Sequence, residues 1–163
     1  MPNFSHSPKW PQWLWPVLAG VLGLSAPLHA GCTLEPVSAT APEVSTVAGA
    51  LRLEGADHDA DNPSWLGPIR AGSCVIDSDL FRGPLALANS RYLLVVNYSG
   101  STQWLTAFDL QRCREHWRSP VLHGSVSWQA DGYHIRPGNA SRRDVPWVAD
   151  PHCRLRPQSA ELQ

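Results

Sequence analysis

Hydrophobic and polar positions in this chain alternate over short runs, and after residue 30 no stretch holds a 3.6-residue period through three turns. Leu51 and Leu53 set against Arg52 and Glu54 give a two-residue repeat, which predicts a strand over 47–54. A longer run at 92–98 places Tyr92, Leu94, Val96 and Tyr98 on one face and Leu93, Val95 and Asn97 on the other. Both faces carry apolar residues, so this strand is expected at the centre of a sheet with cover on each side. The chain then turns through Ser99-Gly100-Ser101-Thr102 and returns as Gln103-Trp104-Leu105-Thr106-Ala107-Phe108, a hairpin with a four-residue tip. Further strands are expected at 74–76, 85–87, 103–109, 115–118, 125–129, 133–136 and 146–148, with 55–68 as an irregular acidic loop. Fifteen prolines and twelve glycines punctuate these segments. The pattern predicts an all-β chain of short antiparallel strands.

The apolar run at 13–24 is different in kind. Its twelve residues are too few for a membrane-spanning helix of about 20, and they match a signal-peptide core of about 7–15. Pro27 ends the run, and Leu28-His29-Ala30 offers a small residue for cleavage. A cut after Ala30 leaves Gly31 first, whereas a cut after Gly31 leaves Cys32 first and open to lipid. The run His29-Ala30-Gly31-Cys32 resembles a bacterial lipobox, with His29 where that pattern has Leu. Parity opposes lipid: Cys32, Cys74, Cys113 and Cys153 form two complete bridges in an oxidising compartment, and lipid on Cys32 would strand one thiol. The expected organisation is a cleaved signal peptide over 1–30, an extended Pro-, Ser-, Thr- and Ala-rich lead-in over 31–46, and a single β domain over 47–163. Lys9 is the only lysine beside twelve arginines. That bias suggests a GC-rich bacterial genome and hence a periplasmic location, in which the sequons at Asn97 and Asn139 are coincidental. Membrane attachment is expected only if Cys32 is lipidated.

Charge adds an asymmetry. Residues 31–81 hold eight acids and two arginines, and residues 82–163 hold six acids and ten arginines. There is no basic run interleaved with aromatics, so nucleic acid is not an expected partner.

The cysteines lie 42, 39 and 40 residues apart, a spacing close to that of a four-stranded propeller blade. The stretch Leu105-Thr106-Ala107-Phe108-Asp109-Leu110, then Cys113 and Trp117, then Asp131-Gly132-Tyr133-His134-Ile135, resembles the repeat of quinoprotein-like propellers. Three modules are too few to close a propeller of 4–8 blades. The fold expectation is therefore an open propeller-like fragment or a sandwich, stapled by disulfides. Of three possible pairings, 32–74 with 113–153 is favoured, each closing a loop of about 40 residues.

Candidate chemistry is sparse. Asp57-His58-Asp59-Ala60-Asp61-Asn62 starts like a calcium loop, but Asn62 and Pro68 stand where an EF-hand has Gly and Glu. Cys113, His116, His152 and Cys153 suggest zinc, yet His152 and Cys153 are adjacent and export favours disulfides. Asp77 and Asp79 read as a solvated turn, and Trp65, Trp104, Trp117, Trp128 and Trp147 as packing groups. There is no Gly-x-Ser-x-Gly, so neither catalysis nor a cofactor is expected. The hairpin tip, Tyr98, Ser99, Gly100, Ser101 and Thr102, is the candidate partner-binding element. With the signal peptide, the size and the β-rich body, the Tyr98-Ser99-Gly100-Ser101 tip resembles periplasmic immunity proteins of type VI secretion systems. That resemblance implies a secreted peptidoglycan amidase toxin as protein partner, with Ser99 or Ser101 plugging its Cys/His cleft. An envelope-assembly module, a lysozyme inhibitor and a small hydrolase are the alternative classes.

Overall fold

The computed structural model describes residues 31–38, 43–55, 63–138 and 143–158. The expected signal peptide, the calcium-like loop and the sequon at Asn139 lie outside the described residues. Two antiparallel sheets account for the fold. The larger one contains β1 (Leu34–Val37), β2 (Val44–Thr46), β3 (Gly49–Gly55), β4 (Ser64–Ala71), β5 (Cys74–Ile76), β6 (Phe81–Ala88), β7 (Tyr92–Ser99), β8 (Thr102–Asp109) and β9 (Arg114–Arg118). Its strand order is β2-β3-β4-β6-β7-β8-β9, with β1 added beside β6 and β5 beside β4. The smaller sheet is a meander of β10 (Gly124–Gln129), β11 (Gly132–Pro137), β12 (Val145–Ala149) and β13 (Leu155–Pro157). The segment resembling a propeller repeat is thus divided between the two sheets, β8 and β9 in one and β10 and β11 in the other.

The alternation at 92–98 is realised as expected. Leu93 and Val95 enter one core with Leu51, Trp65, Ile69, Phe81 and Phe108. Leu94 and Val96 enter a second core with Leu105, Ala107, Tyr133, Ile135 and Leu155. All four β7 side chains have 0% exposure, each worth about 1.5–3 kcal/mol of burial. The first core lies within the curl of the larger sheet, and the second lies between β6–β8 and the smaller sheet. Tyr133 joins the two sheets: its hydroxyl donates to the Pro84 carbonyl at 3.0 Å, and its ring meets Trp128 edge-on at 5.1 Å. Burial pushes its phenol pKa far above the ordinary value.

The acidic segment expected as loop through residue 68 is a strand from Ser64 onward. Gly67-Pro68 falls where the β3–β4 register shifts, between the pairs Arg52↔Arg70 and Glu54↔Leu66. Gly83-Pro84 likewise falls at the β6–β7 shift, between Arg82↔Val96 and Ala86↔Leu94. A bulge tolerates a residue without an N–H, so these prolines interrupt the ladder without ending the strand. The β6 bulge also marks a change of neighbour: Phe81 and Arg82 pair with β4, whereas residues 85–88 pair with β1. Part of the lead-in is accordingly built into the sheet.

The disulfides are Cys32–Cys153 and Cys74–Cys113, with Cα atoms 5.2 and 5.4 Å apart. The expected pairing of 32–74 with 113–153 is corrected. β1 lies beside β6 under the smaller sheet, which brings Cys32 to the β12–β13 turn rather than to β5. Even spacing along the chain measures loop length and carries no information about layering. Each core consequently has its own bridge, since Cys74 belongs to the first and Cys153 to the second. An aspartate organises each cysteine-bearing turn. Asp109 Oδ1 accepts the N–H groups of Gln111 and Arg112, and Asp150 Oδ1 accepts those of His152 and Arg154.

Asp109 is nearly buried, and Arg91 donates to both its oxygens at 3.0 and 2.7 Å. Burial raises its pKa, but the hydrogen bonds from Arg91 and the turn N–H groups outweigh that and hold it below the ordinary aspartate value. Because the folded pKa is the lower one, this stabilisation is complete above about pH 4 and is lost as pH falls through the folded pKa. Asp109→Asn is expected to cost about 1–3 kcal/mol at pH 7, with the deficit shrinking below about pH 4; denaturant unfolding across pH measures this. Cys153→Ala is expected to cost about 2–5 kcal/mol, and non-reducing peptide mapping should recover fragments linking 32 to 153 and 74 to 113.

Candidate functional site

The hairpin tip is tighter than a four-residue turn. Ser99 pairs with Thr102, leaving Gly100 and Ser101 as the connecting residues. Gly100 has φ +59°, which suits the first central position of a type II′ hairpin turn. Ser99, Gly100 and Ser101 are exposed, while Tyr98 and Thr102 are half-buried. A Cβ placed on Gly100 would meet nothing within 4 Å. The tip's base is braced to both sheets. The Arg82 guanidinium lies over the Tyr98 ring at 5.3 Å and donates to Gln103 Oε1, whose Nε2 donates to the Gly124 carbonyl. The Leu122 N–H donates to the Gln103 carbonyl at 2.8 Å. Neither Ser99 nor Ser101 has a histidine or carboxylate partner among the described residues.

Below the tip, on the face of the first core, a cleft of about 410 Å³ opens between two strand edges. Cys74–Cys113 closes one end. From there β5 and residues 77–79 form one wall, and β9 forms the other. Asn97, Trp104 and Phe108 make the floor. A bulge shapes the β9 wall: the pairs Ala107↔Trp117 and Phe108↔Glu115 leave His116 as the extra residue. Glu115 and Arg118 therefore share the cleft side, where Arg118 Nε donates to Glu115 Oε2 at 3.2 Å. His116 turns to the other face, stacks on Tyr92 at 4.4 Å and donates to the His152 carbonyl.

The opposite wall is held by a close approach. The Ser78 carbonyl crosses Gly67 so tightly that a Cβ there would lie 1.7 Å from its oxygen. Ser78 Oγ in turn takes a long hydrogen bond of 3.4 Å from Asn97 Nδ2. The floor, however, is left incomplete. Asn97 is 6% exposed, and its Oδ1 has no hydrogen-bond partner among the described residues; the same holds for Trp104 Nε1 and Thr106 Oγ1. Each unmade bond on a buried group costs about 1–3 kcal/mol. Asn97 and Trp104 are direct partners in the β7–β8 ladder, so an unmet acceptor and an unmet donor sit side by side.

Cys113 and Cys153 belong to different disulfides and share no site. Trp65 stacks on Phe81, and Trp117, Trp128 and Trp147 pack against the second core. Trp104 departs from the packing role by lining the cleft under Arg118, and Asp77 and Asp79 line its rim. The ion pairs within the described residues stay within each part of the chain, as with Arg52–Glu43, Arg91–Asp109 and Arg136–Asp144. Across the cleft the two parts face each other with opposite charges, Asp77 and Asp79 on one wall and Arg114 and Arg118 on the other. Asn97 also shows that the sequon Asn97-Tyr98-Ser99 has a buried amide. Comparison with protein families, curated proteins and solved structures gave no match to this chain.

Gly67→Ala must displace the Ser78 wall and is expected to cost about 1–3 kcal/mol by denaturant unfolding. Gly138→Ala, whose Cβ would meet its nearest atoms at 3.9 Å, should leave stability within about 0.5 kcal/mol.

Proposed function

We propose that the protein is an exported, protein-binding inhibitor of the immunity type, whose β7–β8 tip occludes the active-site cleft of a secreted peptidoglycan amidase. The observation that carries this reading is the contrast along one hairpin. Its strands are buried on both faces, while Ser99, Gly100 and Ser101 stand exposed at the end. A stiff element with a small hydroxyl-bearing tip suits entry into a narrow cleft, because little conformational freedom is lost on docking. Ser99 and Ser101 present hydroxyls to a catalytic histidine, and the surrounding sheet end supplies area toward the roughly 1,200–2,000 Å² of a specific interface. Two disulfides agree with folding in an oxidising compartment such as the periplasm. On this reading the protein is soluble there, since the Cys32 sulfur is bound to Cys153 and cannot also carry lipid.

The test uses Ser99→Tyr and Ser101→Tyr with Gly100 retained, so that the turn survives. Titration against a secreted peptidoglycan amidase encoded beside this gene, the neighbour this reading requires, should show at least a tenfold loss of affinity, about 1.4 kcal/mol, with an unchanged melting temperature. Unchanged affinity would sink the plug, and tight binding of lysozyme instead would move the target to another class.

A further inference from the structure

We infer that the cleft between β5 and β9 is a binding site for a short peptide with free termini, separate from the exposed tip. Three features of the cleft carry this. First, its floor holds a buried acceptor, Asn97 Oδ1, beside a buried donor, Trp104 Nε1, and neither has a partner among the described residues. An extended peptide residue supplies both complements along one edge: its N–H reaches the first and its own carbonyl the second. A lone carboxylate or a lone ammonium would satisfy one of them only.

Second, the rim is charged with opposite signs on opposite walls. Asp77 and Asp79 are exposed and make no ion pair among the described residues, and neither does Arg114 across from them. An ammonium group at one end of the ligand is matched to the aspartates and a carboxylate at the other to the arginine. Third, β5 and β9 both end their sheet paths, β5 pairing only β4 and β9 only β8. Their outer edges offer backbone groups to an extended chain laid along the cleft. The volume of about 410 Å³ lies in the range of small-ligand sites.

The floor pair lies two ladder positions from the closing pair Ser99↔Thr102, or about 7 Å along the strand. The cleft therefore sits at the tip end of the hairpin without including the tip. Failure of the peptide site leaves the plug reading intact, and failure of the plug leaves the peptide site intact.

The experiment follows the Trp104 indole N–H resonance of the disulfide-bonded mature chain, assigned by its absence in Trp104→Phe. Trialanine with free termini is expected to shift it saturably, with end-blocked trialanine at least tenfold weaker. Asp77→Asn combined with Asp79→Asn, on an exposed segment that leaves the core untouched, should weaken free trialanine by a similar factor. Asn97→Leu should abolish the shift while melting at or above the parent temperature in the absence of peptide, since an unpartnered buried oxygen is replaced by an apolar group and the one bond lost, Nδ2 to Ser78 Oγ, is long. The inference is overturned if blocked and free trialanine bind equally, or if N-acetylglucosamine alone moves the resonance. It is equally overturned if no probe moves it at about 10 mM, or if Asn97→Leu loses stability yet still binds.

Discussion

The two-sided burial of β7 is the constraint on which the rest of this structure depends. With 93 and 95 in one core and 94 and 96 in the other, both faces of the strand are committed. A slip of one residue would exchange the two sets and place Asn97 and Tyr98 in each other's surroundings, so the register with β6 and β8 is fixed by packing. Once that register holds, the larger sheet must supply cover on one face by curling, and the smaller sheet must supply it on the other. The two disulfides follow the same division. Cys74–Cys113 secures the curl, and Cys32–Cys153 secures the smaller sheet over β6–β8.

The same constraint gives one end of the molecule its character. A hairpin held on both faces carries its turn at a defined place, and Gly100 and Ser101 stand exposed at its end. Just below, packing gives way to unmet polar groups at Asn97 and Trp104. Such groups weaken a fold, and here they sit beneath a cleft whose walls carry opposite charges. A stiff spine that ends in an exposed tip and a polar cleft has the features that the proposed binding roles require. Pre-organisation of this kind favours binding by removing the cost of ordering the site.

Much of the spine was legible in the sequence because a doubly buried strand leaves a direct trace, apolar residues on both phases of a two-residue repeat. The strands at 92–98 and 103–109 appear accordingly as β7 and β8. β4 was illegible for an equally physical reason: Pro63 and Gly67-Pro68 signal a loop, and only the β3–β4 register reveals that the second of these occupies a bulge. The disulfide pairing was hidden because equal spacing says nothing about which strands lie in which layer. An aspartate three or four residues before Cys113 and Cys153 marks the turns that hold them, but it does not name their partners. The tip was visible as a Ser-Gly run, whereas the cleft was not. Asn97 and Trp104 look like ordinary strand residues until the ladder places them opposite each other, and Asp77 and Asp79 like a solvated turn until the curl sets them across from β9.

Native-state hydrogen exchange on the mature, disulfide-bonded chain measures the central claim most directly. If the doubly buried hairpin is the spine, the amides of 93–96 and 105–107 exchange only through global unfolding, while Gly100 and Ser101 exchange orders of magnitude faster. Should those β7 and β8 amides open locally, ahead of the peripheral β12 and β13, the account of a rigid spine carrying an exposed tip would be contradicted.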